Sequence, residues 1–193
     1  MTLSPEFLSE LFTQIVSQDE TYQEAVRIVR ANSYGKIWLI GGFLYRTLAS
    51  QLYGVKKPSK DFDFIVERAE HKLILPESWK VTVNRFGNPK FVGTFEIDFV
   101  PLNKVHSIMR RGVEPNIQNF LNGVPLNIHS LVYDVDNEEV IGNIGISALE
   151  RKVVSVCNPE MAIDTEEIYQ TSIEEMIRKK AEELGFKAEY PDE

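Results

Sequence analysis

The chain has 193 residues and a mass of 22.1 kDa, with 43% apolar and 26% charged residues, a balance that excludes wholesale disorder. No apolar run approaches the ~18–20 residues of a membrane span. The opening MTLSPEFLSE lacks the basic and apolar regions of a signal peptide, so the expected address is the cytoplasm, with no membrane partner.

The first elements are helices. Ser4-Pro5 reads as an N-cap followed by proline at the first helical position. Phe7, Leu8, Leu11, Phe12 and Ile15 follow at helical spacing. A second helix is predicted from about Glu20 to Arg30, with Tyr22, Ala25, Val26 and Val29 on one face. Both read as core-packing elements. The run KIWLI at 36–40 is a strand, stopped by Gly41-Gly42, and FLYRTLASQLYG is a helix ending at Gly54.

A polar loop, VKKPSK, leads into Asp61-Phe62-Asp63-Phe64-Ile65-Val66, where acids alternate with apolar residues as in a strand with one wet face. Trp79 to Phe86 alternates as well. Gly87-Asn88-Pro89 is a turn signal, and Lys90 to Leu102 is the returning strand of a predicted hairpin. Residues 110–127 read as loop with a short helix, Ile128–Tyr133 as a strand, and Gly145–Arg151 as a short helix. Lys152–Val156 fits a last strand or a turn. Thr165 to Leu184 is predicted as one long helix with Tyr169, Ile173, Met176, Ile177 and Leu184 in a stripe and Gly185 as its cap. The organisation expected is one domain over 1–193: N-terminal helices at 1–35, a core at 36–159 and a C-terminal helix at 160–193.

Charge is unevenly placed. The net charge is −8, and residues 160–193 alone carry −7, with 11 acids against 4 bases. The body is nearly neutral, so no basic footprint for bulk nucleic acid exists at whole-chain level. Local bases remain at Lys56, Lys57, Lys60, Arg110 and Arg111, all compatible with solvated loops. The lone Cys157 excludes an internal disulfide, and His71, His106 and His129 are too scattered for a zinc motif.

Three features in order carry the chemistry. Gly41-Gly42 sits between a strand and a helix, where free N–H groups and the helix dipole favour a phosphate. Alone, the pair is as often a tight turn. Asp61 and Asp63, two apart on a strand, share a face about 6.5–7 Å apart. Glu96 and Asp98 form a second such pair. Carboxylates on neighbouring strands repel unless cations bridge them, and such an oxygen cluster suits Mg²⁺ shared with substrate phosphates. The competing reading is two wet strand faces, although Asp is depleted in strands.

The runs LIGGFLYR, KDFDFIVE and FEIDFVPL resemble the DNA polymerase beta-like nucleotidyltransferase superfamily. More closely, residues 37–159, including YDVDNEEVIGNIGISALERKVVSVCNP, are similar to the head domain of CCA-adding enzymes and bacterial poly(A) polymerases. The resemblance implies an α+β (α/β) fold: a nucleotidyltransferase-like mixed β-sheet with helices packed on it, plus a C-terminal acidic helix. It implies that Asp61, Asp63 and Asp98 are catalytic and hold two Mg²⁺ ions against a nucleoside triphosphate. Gly41, Gly42 and Arg46 would contact phosphate, with Lys60 a further candidate. Asp61 and Asp63 should then converge on a cleft walled by Gly41-Gly42.

The departures are informative. Eighteen residues separate Gly42 from Asp61, more than is usual in those heads, and Arg46 lies one place later than their arginine. Their base-reading Arg-Asp pair falls on Val124 and Pro125, and the asparagine near it on His129. With one helix after the core, CCA addition itself is not expected. The expected activity is transfer of a nucleoside monophosphate to an unidentified hydroxyl acceptor: a small molecule, an RNA end or a protein. The alternatives are a non-catalytic nucleotide- or partner-binding module on the same fold, or a toxin–antitoxin component. His106 and His129 are left outside the site.

Overall fold

The protein is described from a computed structural model over residues 2–55 and 60–191. Lys56 and Lys57 of the basic loop lie outside the described residues. Helix α1 (Pro5–Val16) starts as its sequence dictates: Ser4 Oγ accepts the Phe7 N–H, and Pro5 occupies a position whose missing N–H costs nothing. Asp19 caps α2 (Glu20–Ala31) by accepting the N–H groups of Thr21 and Tyr22. Strand β1 (Ser33–Ile40) runs into α3 (Gly41–Tyr53), which ends on left-handed Gly54. Then come β2 (Asp61–Ala69), β3 (Lys80–Val83), β4 (Pro89–Val92) and β5 (Glu96–Pro101). Two short helices, α4 (His106–Arg111) and α5 (Ile117–Leu121), precede β6 (Val132–Asp134) and β7 (Glu139–Ile141). The chain continues through α6 (Asn143–Arg151), β8 (Val153–Val154), α7 (Pro159–Tyr169), α8 (Ile173–Leu184) and β9 (Lys187–Ala188).

Seven strands form one mixed sheet in the order β3-β4-β5-β2-β1-β6-β7. Within it, β2 and β5 are parallel and the other neighbours antiparallel. The central strands bury both faces. Ile37, Leu39, Phe62, Phe64, Ile97 and Phe99 pack towards α1, α2 and α3. There Phe43 meets Phe62 with ring centroids 4.7 Å apart, and Phe12 meets Tyr133 at the same distance. Trp38, Ile65 and Val132 face the other way, against Val105 and Ile108 of the α4 region and Phe120 of α5. Each large apolar side chain so buried contributes about 1.5–3 kcal/mol. Among the described residues no helix is long and apolar enough to cross a membrane.

Several boundaries differ from the sequence expectation. The strand expected at 36–40 begins at Ser33, with an irregularity between Tyr34 and Ile37 at left-handed Gly35. The segment 90–102 is two strands, because 93–95 turns the chain and the Phe95 C=O accepts the Gly93 N–H. The expected strand 128–133 shortens to β6, preceded by a 3-10 turn over Asn127–His129. The single helix expected over 165–184 is two: Gln170 takes φ 50°, which ends α7, and Ser172 caps α8 by accepting the Glu175 N–H. Glu166 and Glu167 therefore lie inside α7, and the first turn of α8 holds Glu174 and Glu175.

Candidate active site

Parallel register is what assembles the acids. β2 and β5 pair Asp61 with Glu96 and Asp63 with Asp98. Phe62, Phe64, Ile97 and Phe99 are committed to the core, so the pleat turns all four carboxylates to the opposite face. Ile40, the last residue of β1, pairs with Asp63, which places Gly41 directly over that carboxylate. Gly41 has φ 74°, and a Cβ built there would run into Asp63 Oδ2. A Cβ at Gly42 would lie 2.9 Å from Arg46 Nη1. Asp63 and the Gly41-Gly42 turn are thus brought together, and the first glycine is required by backbone and neighbour alike.

Asp63 keeps some solvent contact, yet the atoms packed around its carboxyl push its pKa up to about 7. Burial is the largest cause. Asp98 and Asp61 add to it, while Lys90 and Arg46 oppose it. Asp98 is held by two residues that the sequence reading did not single out. Asn84 Nδ2 donates to Asp98 Oδ1 at 2.8 Å, while Asn84 Oδ1 accepts the N–H groups of Phe86 and Asn88 in the hairpin turn. Lys90, the cross-strand neighbour of Asp98, places Nζ 2.5 Å from Glu96 and 3.7 Å from Asp98. Its pKa is raised, chiefly by the bond to Glu96. The signal for both residues was the Gly87-Asn88-Pro89 turn, which fixes the hairpin register that aims them at the acids.

Among the described residues no group of three or more His, Cys, Asp or Glu side chains is gathered tightly enough to hold a metal ion. The donor set is nonetheless of the type a hard divalent cation takes, carboxylate oxygens, with Asp63 held towards its neutral form by burial first and then by the Asp98 charge. Asp63 and Asp98 lie in a cleft of about 670 Å³. One wall is apolar, built from Ile65, Val100, Phe120, Val124 and Pro125, and the other comes from α8 with Lys179, Lys180 and Glu183. Asp61 and Glu96 are not among the cleft-lining residues, and Asp61 is exposed at the strand start.

The tip of the β3–β4 hairpin closes one end of the cleft. Phe86 stacks on His106 with centroids 4.8 Å apart. Arg85 lies 4.4 Å over the Tyr169 ring and donates to the Ile168 C=O. His106 and Arg110 both bind Asp164, whose pKa is lowered first by the His106 bond. Arg111 bonds the Ser107 and Asn119 carbonyls. Arg46 is ion-paired with Glu183 of α8. Lys60 is drawn elsewhere: its Nζ bonds Asp19 and Thr21 at the start of α2, beside a separate groove that Thr94 and Phe95 also line. His129 packs on Tyr45 at 5.7 Å and is held neutral, its pKa pushed down to about 3 by burial first and then by Lys180 and Arg46.

This architecture is a nucleotidyltransferase-like fold. No protein-family model matches the chain, and no curated protein does. Solved structures do. A CCA-adding enzyme in complex with CTP aligns with TM-score 0.61 over 94% of this chain and 43% of its own, at 16% identity. A CCA-adding enzyme with ATP gives 0.55 at 17% identity, covering 97% of this chain and 41% of its own. A tRNA nucleotidyltransferase with a primer tRNA and an incoming ATP analogue gives 0.51 at 20% identity, covering 80% and 43%. The chain spans about two fifths of the length of these proteins. At such identities the likeness is one of fold.

Proposed function

We propose that this chain transfers a nucleoside monophosphate from a nucleoside triphosphate to a hydroxyl acceptor, with divalent metal. The observation that carries the reading is the Asp63–Asp98 pair on parallel strands, seated against the Gly41-Gly42 turn that opens α3. It is supported by solved neighbours whose complexes hold CTP or ATP.

In this reading Asp63 and Asp98 in the cleft, with Asp61 at the exposed start of β2, would hold two Mg²⁺ ions. When bound, such ions neutralise the triphosphate and stabilise the attacking and leaving oxygens of an in-line displacement. The chain's own residues do the rest. The N–H groups of Gly41 and Gly42, at the start of α3, donate to phosphate oxygens. Asp98, oriented by Asn84, receives the proton of the attacking hydroxyl. Lys90 offsets the carboxylate charge of Glu96 and Asp98. The apolar wall at Val124 and Pro125 takes the base by its face. Pyrophosphate leaves.

The second reading is a non-catalytic nucleotide-binding module, favoured by the Lys90 ammonium that already serves Glu96 and Asp98. The two separate in one experiment: calorimetric titration of the four nucleoside triphosphates with and without Mg²⁺, followed by pyrophosphate release. Mg²⁺-dependent binding with pyrophosphate release supports transfer. Binding with no release across RNA, protein and small-alcohol acceptors supports the module. No binding of any triphosphate overturns both.

A further inference from the structure

We propose that Lys180 of α8 extends the phosphate contact expected of Arg46 into a subsite for the polyphosphate tail of the ligand, and that Glu183 is an internal carboxylate that holds this subsite until the ligand displaces it. The inference rests on the nucleotide reading above and assigns α8 a direct part in it.

Glu183 touches both cations. It is ion-paired with Arg46 across the α3–α8 contact, and it accepts from Lys180 Nζ at 2.7 Å, one turn earlier on its own helix. Two positive charges thus share one negative charge. Both cations are partly withdrawn from water, with side chains 27% and 17% exposed. Lys180 also sits 5.2 Å over the Tyr45 ring, which fixes its ammonium against α3. Lys180 and Glu183 line the same cleft as Asp63 and Asp98, and Arg46 reaches back over Gly42 of the turn that opens α3. Cationic groups thus link the turn that opens α3 to α8, from Arg46 beside Gly42 to Lys180 through the shared Glu183.

Glu183 is poorly placed for the helix that carries it. It lies in the last turn of α8, next to the Gly185 cap, where the helix dipole opposes an anion. Its position is supported by the two cations and not by the helix. A triphosphate brings several anionic oxygens to the same cations and can replace it, and the Glu183 side chain, 37% exposed, has solvent to move into.

The test measures the affinity of the full chain for inorganic tripolyphosphate and for Mg–ATP by calorimetry, with adenosine as an uncharged control. Glu183→Gln is expected to bind both anions about three- to tenfold more tightly. Lys180→Gln is expected to bind them about tenfold more weakly, with Lys180→Arg near wild type. Adenosine binding should not move. Circular dichroism melts report whether each variant folds. If Glu183→Gln is folded and anion affinity is unchanged or weaker, the carboxylate is only a clamp between helices and the proposal falls. If Lys180→Gln leaves both affinities unchanged while wild type binds Mg–ATP, the proposal falls and the nucleotide reading stands. If wild type binds neither Mg–ATP nor adenosine, the nucleotide reading falls, and the tripolyphosphate arm still decides the subsite.

Discussion

Replacing Gly41 by alanine attacks the point where the fold and the candidate site meet. Its φ of 74° is left-handed, which costs a residue with a Cβ about 1–2 kcal/mol. The new methyl also runs into the Asp63 carboxylate, and overpacking of this kind costs about 1–3 kcal/mol. The sum is about 3 kcal/mol, which for a domain of this size lowers Tm by about 6–12 °C. Gly54→Ala is the matched control. It has nearly the same φ, 71°, with nothing among the described residues within 4 Å of the built Cβ, so it bears only the backbone cost of about 1–2 kcal/mol. Thermal melts followed by circular dichroism at pH 6 compare the two. The Gly41→Ala loss should exceed the Gly54→Ala loss, and the excess should shrink when Asp63→Ala is added in a double-mutant cycle. Equal losses for the two alanines would refute the claim that Gly41 makes room for Asp63.

Two buried groups should give opposite pH slopes. Between about 3.8 and 7 the unfolded chain has released the Asp63 proton and the folded chain keeps it, so stability falls as pH rises, by on the order of 4 kcal/mol at most. Below 6.5 the unfolded chain protonates His129 and the folded chain does not, so stability falls as pH drops towards 3. Asp63→Asn should therefore steepen the acid-side loss and His129→Leu the neutral-side loss; urea melts from pH 4 to 8 that superimpose for all three proteins would contradict both assignments. Asp98→Asn should abolish nucleotidyl transfer while keeping much of the Mg–ATP binding, and Glu96→Gln should be milder in both, because Asp98 lines the cleft and Glu96 does not. A dead Glu96→Gln beside an active Asp98→Asn would move the third carboxylate to Glu96. Lys90→Gln removes the cation beside Glu96 and Asp98, so Mg²⁺ titrated at pH 8 should bind severalfold more tightly. Unchanged or weaker binding would mean that Lys90 and the metal do not compete.

The faces of β2 and β5 were legible because a strand alternates with period two, and Asp-Phe-Asp-Phe and Glu-Ile-Asp-Phe display that period directly. The pairing of Asp63 with Asp98 was not, since register is settled by partners distant in the chain. The same holds for Asn84 and Lys90, whose residue types announce nothing until the hairpin turns them towards the acids. Gly41-Gly42 could be read as a turn, but the neighbour that forbids a side chain there is Asp63, twenty-two positions later. The break between α7 and α8 had a local signal in Ser172-x-x-Glu175, a capping pattern. Tyr169, Ile173 and Ile177 masked it, because their four-residue spacing continues across the break as though one helix ran through.

The parallel pairing of β2 with β5 also sets where this chain is free to change length. The two strands are joined through residues 70–95, and the 70–79 stretch lies outside every ladder of the sheet. Ile74 ties that stretch to buried Asn32 through both of its backbone groups, so changes of length are expected on either side of Ile74, where they need not move Asp63 relative to Asp98. Inside β5 there is no such latitude. One residue gained or lost between Glu96 and Asp98 would turn the acid into the phenylalanine-packed core and present Phe99 to the cleft. Homologues of this chain should therefore vary in size before β3 and keep β5 to the residue, a pattern of insertions that a set of related sequences would display without any assay.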